Sequence, residues 1–252
     1  MFTTTNPHYE QRLRASRRQD NHHLMVKLPL APKNASPVPG LTSLYHNSDP
    51  GTYGDRSYPG NCGGNLIKDL LNYFQPESVF DPMTGSGTCR DVCLELGIPC
   101  HSTDLKKGFD ATSWNSYKQL GNFDFIWAHP PYWRQKVYSQ SPKDMSQAAT
   151  LGDFLFGYRQ FIENCSRVLN EGGKFAILMG DYQDRAEAFV PLCYFTKLLA
   201  FRTGLRQTCT DIVRFSFGAS SSSKVYRSSF IPGLHDTCMI FEKQPSKFPP
   251  KR

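Results

Sequence analysis

The apolar run Phe123 to Ala128 stops at His129-Pro130-Pro131-Tyr132-Trp133. No other stretch constrains the fold as much. Each of the two prolines lacks a ladder donor and fixes φ, so together they cannot continue a central strand. A buried strand therefore ends here and presents a rigid tip. The tip carries a hydrogen-bonding side chain at 129, a Pro130 carbonyl that no N–H of Pro131 crowds, and an aromatic face at Tyr132. Those are the parts needed to hold a planar ring that bears an amine.

The segments on either side of this strand predict its neighbours. Leu66, Ile67, Leu70, Leu71 and Phe74 recur at helical spacing after Gly63-Gly64-Asn65. Ser78 to Phe80 reads as a short buried strand ending at Asp81-Pro82. Cys89, Val92, Cys93 and Leu96 mark a helix face that Gly97 is placed to end. Ile98 to Thr103 reads as a second strand, ending at Asp104. Beyond the tip, Val137 to Leu151 is polar and reads as a long loop. A helix follows with Phe154, Tyr158, Phe161, Cys165 and Val168 on one stripe. Gly172-Gly173 is expected to stop it before a strand at Lys174 to Met179. Phe189 to Ala200 reads as a helix with Pro191 in its first turn. Thr210 to Phe217 and Thr237 to Phe241 read as two β segments around a serine-rich loop, Gly218 to Ser229. Repeated strand–helix alternation predicts an α/β fold with a mostly parallel sheet covered on both faces. In such sheets ligands sit beyond the carboxyl ends of the strands, where Asp81, Asp104 and His129 all fall.

The first strand-to-helix turn is Asp81-Pro82-Met83-Thr84-Gly85-Ser86-Gly87-Thr88. Gly85 and Gly87 let the backbone pass close to a ligand. A dinucleotide fingerprint requires a third glycine at 90, where the chain has Arg90, and a P-loop requires Gly-Lys-Ser/Thr. Asp104 ends the next strand, where a carboxylate can accept from both ribose hydroxyls. Asp110 follows, placed to accept from an adenine amine or to cap a helix. A glycine turn and an Asp without a phosphate cradle suggest a nucleoside cofactor, S-adenosylmethionine.

Asp-Pro-Met-Thr-Gly-Ser-Gly-Thr at 81–88, followed by His-Pro-Pro-Tyr-Trp at 129–133, resembles the amino-directed DNA methyltransferases. These methylate adenine N6 or cytosine N4. The likeness spans roughly Tyr58 to Lys243. It implies a Rossmann-like fold with a seven-stranded sheet and an antiparallel strand near the C-terminus. It also implies S-adenosylmethionine bound by Asp81, Pro82, Met83, Thr84, Gly85, Gly87, Thr88, Asp104 and Asp110. The catalytic set it implies is His129, Pro130, Pro131 and Tyr132, with the Pro130 carbonyl and the side chain at 129 accepting the amino hydrogens and Tyr132 stacking on the base. Trp133, Arg134 and Lys136 are the expected substrate contacts. The family's usual residue at 129 is Asp, Asn or Ser. A histidine there predicts activity that falls at acid pH, within the window pH 5 to 8, because a protonated imidazole accepts nothing.

The 252 residues suffice for one such domain, expected at 58–243, with a basic, proline-rich arm at 1–57 and a tail at 244–252. Only Leu24 to Leu30 in the arm could make a strand. The net charge of +7 and pI near 9.0 favour a polyanionic partner: DNA, with RNA as the alternative. No 18-residue apolar run is present, so no membrane span is expected. The eight cysteines form no C-x-x-C pair and read as reduced thiols of a cytoplasmic protein. Cys89 and Cys93 read as core rather than metal ligands. No large target-recognition region is visible, which predicts a short site or help from a second subunit, a possible homodimer. Three rivals remain. One is an RNA base-amino methyltransferase. Another is a non-catalytic cofactor-binding regulator that binds DNA, disfavoured by the intact Pro130-Pro131-Tyr132. The third is a nicotinamide oxidoreductase, disfavoured by Arg90.

Overall fold

The computed structural model describes residues 36–47, 49, 51–215, 231 and 233–245. The arm up to residue 35 with its expected strand, the serine-rich loop and the tail beyond 245 lie outside the described residues.

Strand β4 (Phe123–Ala128) forms as expected and sits inside the main sheet. It pairs in parallel with β2 (Val79–Asp81) on one side and β5 (Leu169–Met179) on the other. β2 pairs in parallel with β3 (Cys100–Ser102) at the sheet edge. Beyond β5 runs β10 (Asp236–Lys243), antiparallel, and against it lie β8 (Leu205–Gln207) and β9 (Ile212–Arg214). The Rossmann-like expectation of a mostly parallel sheet with an antiparallel strand near the C-terminus holds. Among the described residues this sheet has eight strands rather than seven. Beyond the six strands read from the sequence it holds β8 and also β1 (Leu44–Tyr45), which pairs in parallel with β9. β1 comes from the segment assigned to the arm.

Alternation along β4 sends side chains to opposite faces. Phe125 and Trp127 pack with Leu66, Ile67 and Leu70 of α1 (Asn65–Phe74) and with Val92 of α2 (Thr88–Leu96). Ile126 and Ala128 pack with Phe154, Tyr158 and Phe161 of α3 (Leu151–Val168) and with Leu192 and Leu199 of α4 (Leu192–Arg202). Each of these large apolar side chains, fully buried, contributes about 1.5–3 kcal/mol. Gly97 ends α2 at φ 68°, as its position predicts.

Two boundaries differ from expectation. α3 ends at Val168, four residues before Gly172, because Leu169 turns extended and pairs with Phe123. Sheet pairing takes those residues, and the register then shifts between Phe123 and Phe125. Phe189–Val190 is a strand, β7, against β6 (Tyr182–Gln183), so α4 starts later and Pro191 sits at its N-cap.

Candidate active site

The strand order reverses between β2 and β4, because the chain goes from β2 to β3 on one side and then to β4 on the other. The carboxyl ends of these strands open into one cavity of about 910 Å³, solvent at its mouth included. Asp81, Pro82, Met83, Thr84, Gly85 and Thr88 line it from the glycine turn, Asp104 from the end of β3, and His129 and Pro131 from the tip. The two motifs thus meet in a single space.

The turn is stitched to β3 by backbone bonds, Thr84 N–H to the Thr103 carbonyl at 2.8 Å and Thr103 N–H to the Asp81 carbonyl at 2.9 Å. Asp104 braces it from the side: Oδ2 accepts from Gly85 N–H and Oδ1 from Lys106 N–H, both at 3.0 Å. A carboxylate has about four acceptor sites, so two remain for a ribose diol. Gly85 stands at φ 47°, and a Cβ there would lie 2.9 Å from the Tyr58 ring. That close approach is what requires glycine. Gly87 does not line the cavity. It caps α2 at φ 84°, and Arg90, paired with Asp91, occupies the space a Cβ would need. Asp81 is buried and its carboxyl is pushed up to about 8, mainly by loss of hydration and then by the neighbouring Cys100. Its Oδ1 accepts from Met83 N–H at 3.1 Å.

The tip is more closed than its sequence suggests. His129 Nε2 and Tyr132 Oη are 3.0 Å apart, and the imidazole also bonds to the Gly60 backbone. Burial pulls the His129 pKa down to about 4; Arg214 pulls the same way, while Asp236 and the Gly60 bond oppose the shift. The imidazole is therefore neutral across pH 5 to 8, and the acid loss of activity expected in that window moves below it. Pro130 is buried. The Tyr132 ring rests on Gly180, where a Cβ would come within 2.7 Å of it, and Tyr132 is not among the residues that line the cavity.

The three expected substrate contacts also lie elsewhere. Trp133 is fully buried in the core, with Nε1 donating to the Ala148 carbonyl at 2.8 Å. Its indole is a packing element, not a cavity wall. Arg134 forms a bidentate pair with Asp184, at 2.9 and 2.7 Å, and stacks on the Trp133 ring, so its charge is already matched. Lys136 is exposed and does not line the cavity. Asp110 is likewise off the wall. Its Oδ1 accepts from Thr112 N–H at 3.0 Å and from Thr112 Oγ1 at 2.7 Å, and Lys143 lies 3.8 Å from its Oδ2.

Two stretches with no sequence signal complete the cavity. Residues 51–64 fold over the glycine turn, held by Asp55 N–H to the Ser86 carbonyl at 2.8 Å, and supply Tyr58, Pro59, Gly60 and Cys62 to the wall. The loop after the tip supplies Tyr138, Ser139, Lys143, Asp144 and Met145. Asp144 organises that loop by accepting from the backbone N–H and hydroxyl of both Ser139 and Ser146. Tyr58 and Tyr138 stack across the mouth, centroids 6.1 Å apart and planes 19° apart. Lys106 lies 5.0 Å above the Tyr58 ring.

No protein-family model and no curated protein matches the chain. Among solved structures it is similar to TTHA0409 of Thermus thermophilus, a DNA modification methylase by provisional assignment, complexed with S-adenosyl-L-methionine. That match has 15% identity and a TM-score of 0.40, over 57% of this chain and 56% of that one. It is similar to TrmN, also of Thermus thermophilus, at 18% identity and a TM-score of 0.36, over 71% and 48%. A SAM-dependent methyltransferase of Archaeoglobus fulgidus matches at 13% identity and a TM-score of 0.44, over 71% and 93%. The chain spans about half the length of the first two. At these scores the likenesses carry no weight for function, which has to be read from this chain's own residues.

Proposed function

We propose that this protein is an S-adenosylmethionine-dependent methyltransferase acting on the exocyclic amine of a nucleic-acid base, adenine N6 or cytosine N4 in DNA. The observation that carries this reading is the shared cavity, lined by Asp81, Gly85 and Asp104 from the one motif and by His129 and Pro131 from the other.

The residues present fit the cofactor. Asp104 keeps acceptor capacity for a ribose, and the missing phosphate cradle suits a nucleoside without phosphates. Asp81 lies where a carboxylate can face a cationic ligand. When bound, S-adenosylmethionine would supply an electrophilic sulfonium methyl.

The chain's task is then to aim the amine. An exocyclic amine is a poor nucleophile because its lone pair is delocalised into the ring. Acceptors for its hydrogens draw that pair out of plane and bind the transition state better than the ground state. The Pro130 carbonyl would be one such acceptor for a base that reaches past the cavity wall, since Pro130 itself is buried and does not line the cavity. His129 is the other only if its lone pair is released from Tyr132. In the geometry seen here, the imidazole instead pairs with the Tyr132 hydroxyl, which lies off the cavity wall. Tyr58 and Tyr138 are among the aromatic side chains that line the cavity, and stacking on such a ring suits a base extruded from a duplex. Lys106 and Lys143 at the rim suit its phosphates.

The test is transfer of a labelled methyl group, with duplex DNA and tRNA offered side by side. The expected result is label in the amino group of a DNA base, reduced at least about 100-fold in His129→Ala, within the range of lost transition-state contacts. Label only in tRNA would redirect the reading to RNA. Cofactor binding with transfer to neither would favour a non-catalytic regulator.

A further inference from the structure

The strongest unused feature lies behind the cofactor wall, where three thiols meet. Cys89 and Cys93 stand one turn apart on α2 and so share a face. A helical pair alone offers a cation too little, which is why the sequence reads them as core. The fold adds Cys100, the first residue of β3, and the three sulfurs all lie within 4.8 Å of one another. Cys89 and Cys93 are 1% and 0% exposed, and Cys100 is half-buried.

We propose that Cys89, Cys93 and Cys100 bind a thiophilic d10 cation, Zn²⁺ or Cu⁺, that ties α2 to β3. Three thiolates are the donor set that soft cations select over oxygen-seeking ones. The spacing fits. Three sulfurs as much as 4.8 Å apart leave their centre roughly 2.8 Å from each, so contraction by about 0.5 Å reaches the usual metal–sulfur length near 2.3 Å. Binding replaces thiol protons with the cation and releases them to solvent. Cu⁺ is satisfied by three thiolates. Zn²⁺ takes a fourth donor, for which half-buried Cys100 leaves the side open to water.

The position gives such an ion a structural role. α2 begins at Thr88, directly after the glycine turn, and the chain beyond β3 leads to Asp104. An ion joining the two would hold both supports of the cofactor wall in register.

The test uses the full chain, purified reduced and without chelators. Bound metal is measured by elemental analysis. Apo-protein is then titrated anaerobically with Zn²⁺ and with Cu⁺, and with Cd²⁺ as an ultraviolet probe of thiolate bonding. The expected result is saturation at about one ion per chain, the half-buried Cys100 thiol masked from a disulfide reagent, and a rise in Tm. Preference for one ion over the other identifies the metal. Cys100→Ser, at the half-buried position, is expected to lose the ion while Cys165→Ser, a buried thiol outside the group, keeps it. Wild-type protein that takes up neither ion, or Cys100→Ser that takes up as much as wild type, overturns the proposal. The readout is independent of methyl transfer.

Discussion

His129 shows how a half-buried ring changes what its sequence position implies. An exposed imidazole would titrate near 6.5, but burial brings this one to about 4. Between those values the unfolded chain holds a proton that the native chain does not. Native stability therefore rises as pH climbs from about 4 to about 6.5, by up to about 1.4 kcal/mol per unit. His129→Gln is expected to flatten the dependence of urea midpoint on pH in that window. A dependence unchanged by the substitution would place the ring in solvent. Asp81 is the opposite case. Its carboxyl, raised to about 8, is mostly protonated at neutral pH, and a cationic ligand would drive the proton off. Binding of S-adenosylmethionine is expected to tighten as pH rises to about 8 and to release a proton at pH 7. Calorimetry in buffers of different ionisation enthalpy measures this, and Asp81→Asn is expected to abolish the release. These two residues were legible as strand-end groups. Their protonation was not, because it depends on what the rest of the chain packs around them.

At the scale of elements, strands and helices were readable wherever apolar spacing was regular, and the cavity's walls were not. β4, α1 and α2 followed their periodicity. The end of α3 did not, because pairing of Leu169 with Phe123 outweighed a glycine pair as a stop. Trp133 sits in a motif that invites a ligand role, yet a turn at φ 47° sends it into the core. Tyr58 and Tyr138 lie in polar, aperiodic stretches, and only the folded chain brings them together across 80 residues. The loop carrying Tyr138 depends on Asp144, which is buried and accepts four hydrogen bonds within it. Steady-state kinetics of Tyr138→Ala and Tyr138→Phe distinguish a stacking role from a hydroxyl role. If the ring holds the base, Ala raises KM for nucleic acid about 10-fold, in keeping with 1–3 kcal/mol per stacked base, and Phe leaves it near wild type. Equal losses in both would assign the effect to the hydroxyl.

For the whole molecule, segments far apart in the sequence are joined next to the cavity wall. Arg214 on β9 and Asp236 on β10 are both buried and pair bidentately at 2.7 and 2.5 Å, while Arg214 Nη1 donates to the Cys62 carbonyl at 2.6 Å. This one guanidinium thus fastens the Tyr58–Cys62 wall to the C-terminal strands. Arg214→Ala would leave Asp236 buried and unpaired, at a cost of about 3–5 kcal/mol, read as a lowered urea midpoint. Arg214→Ala combined with Asp236→Ala is expected to cost less than the two single losses added together. Strict additivity would mean the charges do not interact.

The glycine turn and the His-Pro-Pro tip share one cavity, proposed to hold the cofactor. Titration of the folded wild-type chain with S-adenosylmethionine, beside Asp104→Ala, tests it most directly. The predicted result is saturable binding at about one per chain that is lost in the variant while its unfolding transition stays cooperative. Wild-type protein that is folded yet binds no S-adenosylmethionine, or an Asp104→Ala variant that binds it equally well, would contradict the account.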